Sequence, residues 1–378
     1  MRIGIDARFL GPEGTGIGRY VGHLLENLEK IDQENFYVVF LRKSNWHLFN
    51  PKSNNFTKVL ADAKWYTLKE QILLPWVMSK AQLDIVHVPH FNIPILYRGK
   101  MVITIHDLIK SEFSSLSSTT RNRFVYGFKH KVYEWVIKRA AQKAQHILTP
   151  TQYIKSKVEK ELGIEAEKIT TTYEAADQKF FVWQKKKLSE GQIKQVLYRY
   201  NIKEPFLIYV GNAYPYKNLD KLLEAMTHLN PKIQLVNPCV RSAFYDRLAG
   251  KVHRLGLEHR VILPGFVPDA DLAILYRRAE AYVFPSLSEG FGLPAIEAMA
   301  SGLPVVCSNI PVLKEVCGEA ALYFDPYDAE SIARAVNKVI EDQDLRDLLV
   351  KKGFACSKQY SWERTAKQTL SVYEESAK

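Results

Sequence analysis

Along this chain, apolar residues fall into two rhythms. Short, almost unbroken runs of four to eight alternate with longer stretches in which apolar positions recur every three or four residues. The short runs predict buried strands at RIGIDARF, NFYVVFLRK, DIVHVPH, MVITIHDLI, HILTPT and KITTTYEA. The longer ones predict helices over GTGIGRYVGHLLENLEKI, over TLKEQILLPWVMSKA despite Pro75, over about 119–143, and over QYIKSKVEKEL. Strands apolar on both faces and separated by helices imply a parallel sheet covered on both sides. In such sheets ligands bind at the carboxyl ends of the strands.

The rhythm breaks between residues 177 and 203, where QKFFVWQKKKLSEG is polar and basic and only KQVLYRYNI reads as a short helix. This stretch is read as a linker. A second alternating set follows, from PFLIYVGN through IQLVN, VILPGF, YVFP, PVVC and ALYF, with helices between. The expected organisation is an N-terminal Rossmann-like domain over 1–176, the linker over 177–203, a second domain over 204–357 and a C-terminal helix over 358–378.

With 378 residues, 47% of them hydrophobic, the chain is large enough for two cores. No apolar run approaches the roughly 20 residues needed to cross a bilayer. The opening MRIGIDARFL, with Asp6 inside its apolar run, reads as a first core strand and not a secretion signal. Cys239, Cys307, Cys317 and Cys356 lack metal-ligand spacing and read as reduced thiols of a cytoplasmic protein. A net charge of +11 favours anionic partners, leaving nucleic acid, an anionic membrane and a phosphorylated substrate open.

One run carries the strongest chemical signal: YVFPSLSEGFGLPAIEAMASGLPVVCS, residues 282–308. It reads as a strand, a loop whose Gly290 and Gly292 permit unusual dihedrals, a helix with Pro294 in its first turn, and a second strand. A helix N-terminus behind a glycine loop attracts phosphate. The carboxylates of Glu289 and Glu297 suit sugar hydroxyls. The run SEGFGLPAIEAMASGLPVV resembles the donor-sugar site of the retaining glycosyltransferases of family 4, in which two glutamates separated by seven residues hold a nucleotide-sugar. That resemblance implies the GT-B architecture: an α/β fold of two facing, doubly wound Rossmann-like domains, with the last helix, YSWERTAKQTLSVYEE, crossing back to the first.

Further motifs take their meaning beside it. GTGIGR, residues 14–19, is neither a P-loop nor a full dinucleotide fingerprint. Gly16 serves either a tight turn with close helix packing or a backbone approach to donor diphosphate or acceptor, and family 4 enzymes have a glycine loop here. His106 ends the strand MVITIHDL, and the resemblance places such a histidine beside the transferred sugar. His87 and His90 stand at a similar strand end as supporting or acceptor-side candidates, without metal-ligand spacing. Lys217, six residues after Gly211, falls where the family carries a diphosphate-binding lysine, but Asn212 stands where its pattern has an arginine. That departure leaves Lys217 to carry more of the leaving-group charge, or calls for another cation to enter. Asp269-Ala270-Asp271 and Asp342-Gln343-Asp344 match a metal-binding pattern of other glycosyltransferases, but helix-start chemistry explains the first and surface composition the second. The helix over 121–143 interleaves basic residues with aromatics. It reads first as a core helix with a solvated face, and second as a surface for anionic lipid. No nucleic-acid motif accompanies the charge.

The resemblance therefore implies a retaining, metal-independent hexosyltransferase without cofactors, using a nucleoside diphosphate sugar and a glycan or polyprenol-linked acceptor. It would be cytoplasmic, and peripheral on the inner face of the plasma membrane where the helix over 121–143 meets anionic lipid. His106, Lys217 and Glu289 would serve catalysis; Gly16, Asn212, Lys217, Glu289, Gly290, Phe291, Gly292, Leu293 and Glu297 would bind donor. Mannose, glucose and N-acetylglucosamine all suit the loop. A non-catalytic nucleotide-sugar sensor or assembly subunit is the alternative from another class, and a cofactor-dependent oxidoreductase a third.

Overall fold

The structure, a computed structural model, describes residues 1–109, 123–185, 188–239 and 242–378. They form two compact units. The first contains seven parallel strands: β1 (Arg2–Asp6), β2 (Phe36–Leu41), β3 (Phe56–Leu60), β4 (Ile85–Val88), β5 (Met101–Thr104), β6 (His146–Thr149) and β7 (Ile169–Thr171). Their order is β3-β2-β1-β4-β5-β6-β7, so the winding reverses between β1 and β4. Helices α1 (Thr15–Ile31), α2 (Leu68–Lys80), α3 (Arg123–Lys143) and α4 (Gln152–Leu162) connect them. Strand β3 is not evident in the hydrophobic pattern because it is an edge strand, with Val59 partly buried and Leu60 45% exposed. Pro75 sits inside α2, whose start is capped by the Thr67 hydroxyl accepting from Glu70 N.

The second unit begins at Ala175. Where the sequence reads as a linker, the structure has two helices, α5 (Gln178–Lys185) and α6 (Glu190–Arg199), which group with this unit. Phe180 is 1% exposed and packs edge-on against Tyr276, so the apolar residues ahead of the lysine run belong to a core. Ser189 and Gln192 close a reciprocal capping box at the start of α6.

The sheet of this unit has six parallel strands: β8 (Phe206–Ile208), β9 (Gln234–Pro238), β10 (Val261–Gly265), β11 (Tyr282–Phe284), β12 (Val305–Ser308) and β13 (Ala321–Phe324). The order β10-β9-β8-β11-β12-β13 reverses between β8 and β11. Helices α7 (Leu219–Met226), α8 (Ala243–Arg254), α9 (Asp269–Arg278), α10 (Leu293–Ala300), α11 (Pro311–Cys317), α12 (Ala329–Glu341) and α13 (Gln343–Ser357) surround it.

After Tyr360 the chain rejoins the first unit. Helix α14 (Trp362–Ala377) starts at the Ser361 N-cap and lies against α1. Tyr373 is wholly buried and its hydroxyl stands 2.6 Å from Nδ1 of His87. Among the described residues no helix is long and apolar enough to cross a membrane.

Candidate functional site

In the second unit, chemistry converges at the point where the winding reverses. The loops that follow β8 and β11 leave neighbouring parallel strands in opposite winding directions, which opens a crevice at their carboxyl ends. The first loop closes on itself, with the Tyr209 hydroxyl donating to Asn212 O at 3.1 Å and the Asn212 side chain accepting from Tyr214 N at 3.4 Å. It is then fastened to the second loop. Leu287 N donates to Tyr216 O at 2.8 Å, and Asn218 Nδ2 donates to Pro285 O at 3.1 Å and to Pro326 O at 2.7 Å.

These fastenings bring Lys217 to Glu289. Lys217 Nζ lies 2.6 Å from Glu289 Oε1, with 14% and 9% of the two side chains exposed. Burial of a carboxylate is unfavourable unless it is paired, and the lysine supplies the pairing. The buried hydroxyls of Tyr209 and Tyr282 are held well above the usual tyrosine range, first by desolvation and further by the charge on Glu289.

Glu289 leads directly into the glycine turn. Gly292 adopts φ +98° as the N-cap of α10, and no side chain caps that helix end. A Cβ there would stand 2.8 Å from Leu313 Cδ2, so position and conformation both require glycine. Gly290, read from sequence as a second such residue, does not take a left-handed conformation. The side chains of Phe291 and Leu293 are buried, Phe291 edge-on against Tyr360, so only their backbone is available to a ligand. Glu297 is 1% exposed, on the buried side of α10. Neither glutamate is the solvated surface acid that its residue type alone would suggest.

In the first unit, His106 lies just past β5 with both ring nitrogens engaged. Nδ1 is 3.2 Å from Glu174 Oε1, and Nε2 is 3.2 Å from Pro89 O. Glu174 is 6% exposed. Both neighbours are acceptors, so together they fix the plane of the imidazole ring. Sequence reasoning missed Glu174, which lies 68 residues away in an undistinguished stretch. Its position just beyond the carboxyl end of β7 was the available signal.

The remaining candidates divide clearly. His87 is fully buried between the Tyr373 hydroxyl and Thr104 Oγ1, at 2.6 and 2.8 Å, and burial pushes it down to about 3. It is a structural residue. His90 accepts from Asn92 N at 2.8 Å and stacks on Phe9. Gly16 lies in the exposed first turn of α1, where a Cβ would meet nothing. Close packing instead falls to Gly14 and Gly18, whose Cβ atoms would stand 1.9 Å from Phe9 O and 2.2 Å from Gly11 O. Thr15 between them takes φ +51°, a strained conformation for a β-branched residue.

The two Asp-x-Asp motifs are otherwise occupied. Asp269 pairs with Lys179 at 2.6 Å and Asp271 with Arg199 at 2.6 Å, while Asp342 caps α13 by accepting from Leu345 N. Among the described residues no group of three or more His, Cys, Asp or Glu is arranged to hold a metal ion. In the basic-aromatic helix read at 121–143, residues 121 and 122 lie outside the described residues.

Comparison with known proteins finds two family models. "Glycosyl transferases group 1" matches residues 197–355, and "Glycosyltransferase Family 4" matches residues 14–180. The O-antigen chain mannosyltransferase B of Escherichia coli is 30% identical over 380 residues, covering 95% of this chain and 96% of that protein. The O-antigen chain mannosyltransferase RfbU of Salmonella typhimurium is 28% identical, covering 87% of this chain and 88% of that one. Among solved structures, a sucrose-phosphate synthase from Thermosynechococcus elongatus superposes with a TM-score of 0.79 at 22% identity, over 99% of this chain and 98% of its own. The HepE protein of Anabaena, solved in complex with UDP-glucose, superposes with a TM-score of 0.76 at 17% identity, over 98% of this chain and 100% of its own.

Proposed function

The chain belongs to glycosyltransferase family 4 and has the GT-B fold, and from that premise we propose that it transfers a mannosyl group, with retention, from a nucleoside diphosphate to a hydroxyl of a glycan or lipid-linked acceptor. The observation that carries this reading is the Lys217–Glu289 pair, 2.6 Å apart where the second sheet reverses and directly ahead of the uncapped helix end at Gly292. A cation and a helix N-terminus suit a diphosphate leaving group. The carboxylate of Glu289 suits the hydroxyls of the sugar. The named activities of the Escherichia coli and Salmonella relatives favour mannose over the other hexoses.

In this mechanism the acceptor hydroxyl attacks the anomeric carbon from the face that the diphosphate leaves, as retention requires, and as the bond to the diphosphate breaks the hydroxyl proton passes to the leaving phosphate oxygen. Positive charge grows on the sugar ring and negative charge on the leaving oxygen. Lys217 and the backbone amides around Phe291 to Leu293 stabilise the second, so catalysis rests on placed charge and needs no metal. With Asn212 spending its side chain on the turn at Tyr214, Lys217 carries the larger share of that work. Glu297 is assigned the nucleotide ribose, His106 a contact with the transferred sugar, and the first turn of α1 at Gly16 an approach to donor or acceptor.

A thermal-shift series of the full chain with GDP-mannose, UDP-glucose and UDP-N-acetylglucosamine tests the donor. A rise in melting temperature with GDP-mannose is expected, and Lys217→Ala should abolish it. Donor hydrolysis without acceptor should disappear in Glu289→Ala. If no nucleotide-sugar shifts the wild type, the donor assignment is wrong.

A further inference from the structure

Helix α2 is apolar around most of its circumference. Leu74, Val77 and Met78 face the core, but Leu68, Ile72 and Trp76 stand out in solvent at 85%, 72% and 56% exposure. Their spacing of four residues makes them one stripe along the helix. A soluble helix normally turns charge to that side.

The stripe does not stand alone. The loop after β4 is held against α2 by Gln71, whose side chain donates to Ile93 O at 3.1 Å and accepts from Ile95 N at 2.8 Å. From the other side Lys143 of α3 holds the same loop, bonding to Ile95 O at 2.6 Å and to Tyr97 O. Leu96 stands out from this bridge at 64% exposure, and beyond it Trp135 is 58% exposed. Between loop and helix runs a groove of about 380 Å³ lined by Ile95, Trp135, Lys138, Arg139 and Gln142, with an apolar floor and a cationic rim.

Charge picks out the occupant. Among the described residues of α2, the loop and α3, six cations are exposed (Lys69, Lys80, Arg98, Lys131, Lys138 and Arg139) against a single exposed acid, Glu134. Lys80 lies 3.8 Å over the ring of Trp76, so cation and aromatic share one place. Large apolar side chains among cations match the boundary of an anionic bilayer: rings and aliphatic groups enter the acyl region while ammonium and guanidinium groups meet phosphates. We propose that this face of the first unit, centred on α2 and extended by the loop at Leu96 and by α3, docks on an anionic lipid membrane, with the groove at Trp135 and Arg139 seating a lipid phosphate. The surface lies mainly on α2, which composition alone did not single out.

Flotation of the full chain with vesicles of phosphatidylcholine, alone and mixed with phosphatidylglycerol, tests this without any turnover, so it succeeds or fails independently of the donor assignment. The wild type should float with the mixed vesicles, less so as salt rises, and hardly with phosphatidylcholine alone. Ile72→Ser with Trp76→Ser should weaken binding at least about tenfold, and Lys138→Glu or Arg139→Glu at least about fivefold each. All these side chains are exposed, so melting temperature and donor hydrolysis should stay unchanged. Three results would overturn the proposal: no flotation of the wild type, equal flotation of wild type and variants, or a wild-type dimer that the Ile72/Trp76 variant converts to monomer. The last would make the face a contact between copies of the chain.

Discussion

At the scale of single residues, the candidate site depends on a charge pair that neither partner can leave without cost. Removing one member of a buried pair strands the other's charge, at about 3 kcal/mol or more. Lys217→Ala should therefore lower the urea midpoint of the second unit, and adding Glu289→Ala should recover much of that loss while leaving the enzyme inactive. If the two losses simply add, the 2.6 Å contact carries no coupling. A comparable dependence joins His106 to Glu174. Glu174→Gln should reduce kcat by about tenfold with little change in KM for donor, as expected when one charged hydrogen bond that orients an imidazole is weakened. Partial rescue by Glu174→Asp would separate orientation from folding. Glu289 stood out as a candidate because its run of glycines and strands announces a loop, whereas Lys217 was singled out through the family resemblance. Glu174 was not, because its partnership with His106 spans two strands and exists only once the sheet is assembled.

At the scale of elements, the glycine turn before α10 has the least room for substitution. Gly292→Ala places a methyl group against Leu313 and forces alanine into φ +98°, so a loss of about 1–3 kcal/mol is expected, together with loss of donor binding. Calorimetry and the thermal-shift assay read the two effects separately. Continuous apolar runs made most strands readable, because a strand covered on both faces has no polar alternation to mislead. Edge strand β3 escaped for the opposite reason. The reading of 177–203 as a linker followed the charge of the lysines, whereas the fold follows the residues ahead of them: Phe180 reaches Tyr276 and Phe181 reaches Phe354. The Ser189–Gln192 capping box at the start of α6 was present in the sequence as a helix-start signature and outweighs the polar composition around it.

At the scale of the whole molecule, the chain leaves the first unit after Glu174 and returns at Ser361, so integrity of that unit depends on how firmly the last helix is held. Two doubly wound sheets were readable from the alternation of elements, and the return of the helix YSWERTAKQTLSVYEE followed from the family resemblance. The fastening itself was not, because it is a hydrogen bond between residues 286 positions apart. His87, buried against Tyr373, Thr104 and Tyr20, is pushed down to about 3, first by desolvation and then by the nearby charge of His106. Its ordinary value is near 6.5 in the unfolded chain. Between those limits the unfolded state binds a proton that the folded state refuses. The stabilisation is therefore complete above about pH 6.5 and is lost as pH falls towards 3, by up to about 1.4 kcal/mol per pH unit. Because a doubly protonated ring forces both of its neighbours, Tyr373 and Thr104, to act as acceptors, α14, which carries Tyr373, should be the element released. Hydrogen exchange over residues 362–377 should accelerate steeply between pH 6.5 and 4.5 relative to α12 in the second unit. His87→Asn, which cannot titrate, should flatten that dependence even if it raises exchange at neutral pH. Equal acceleration in both helices would place the acid sensitivity elsewhere.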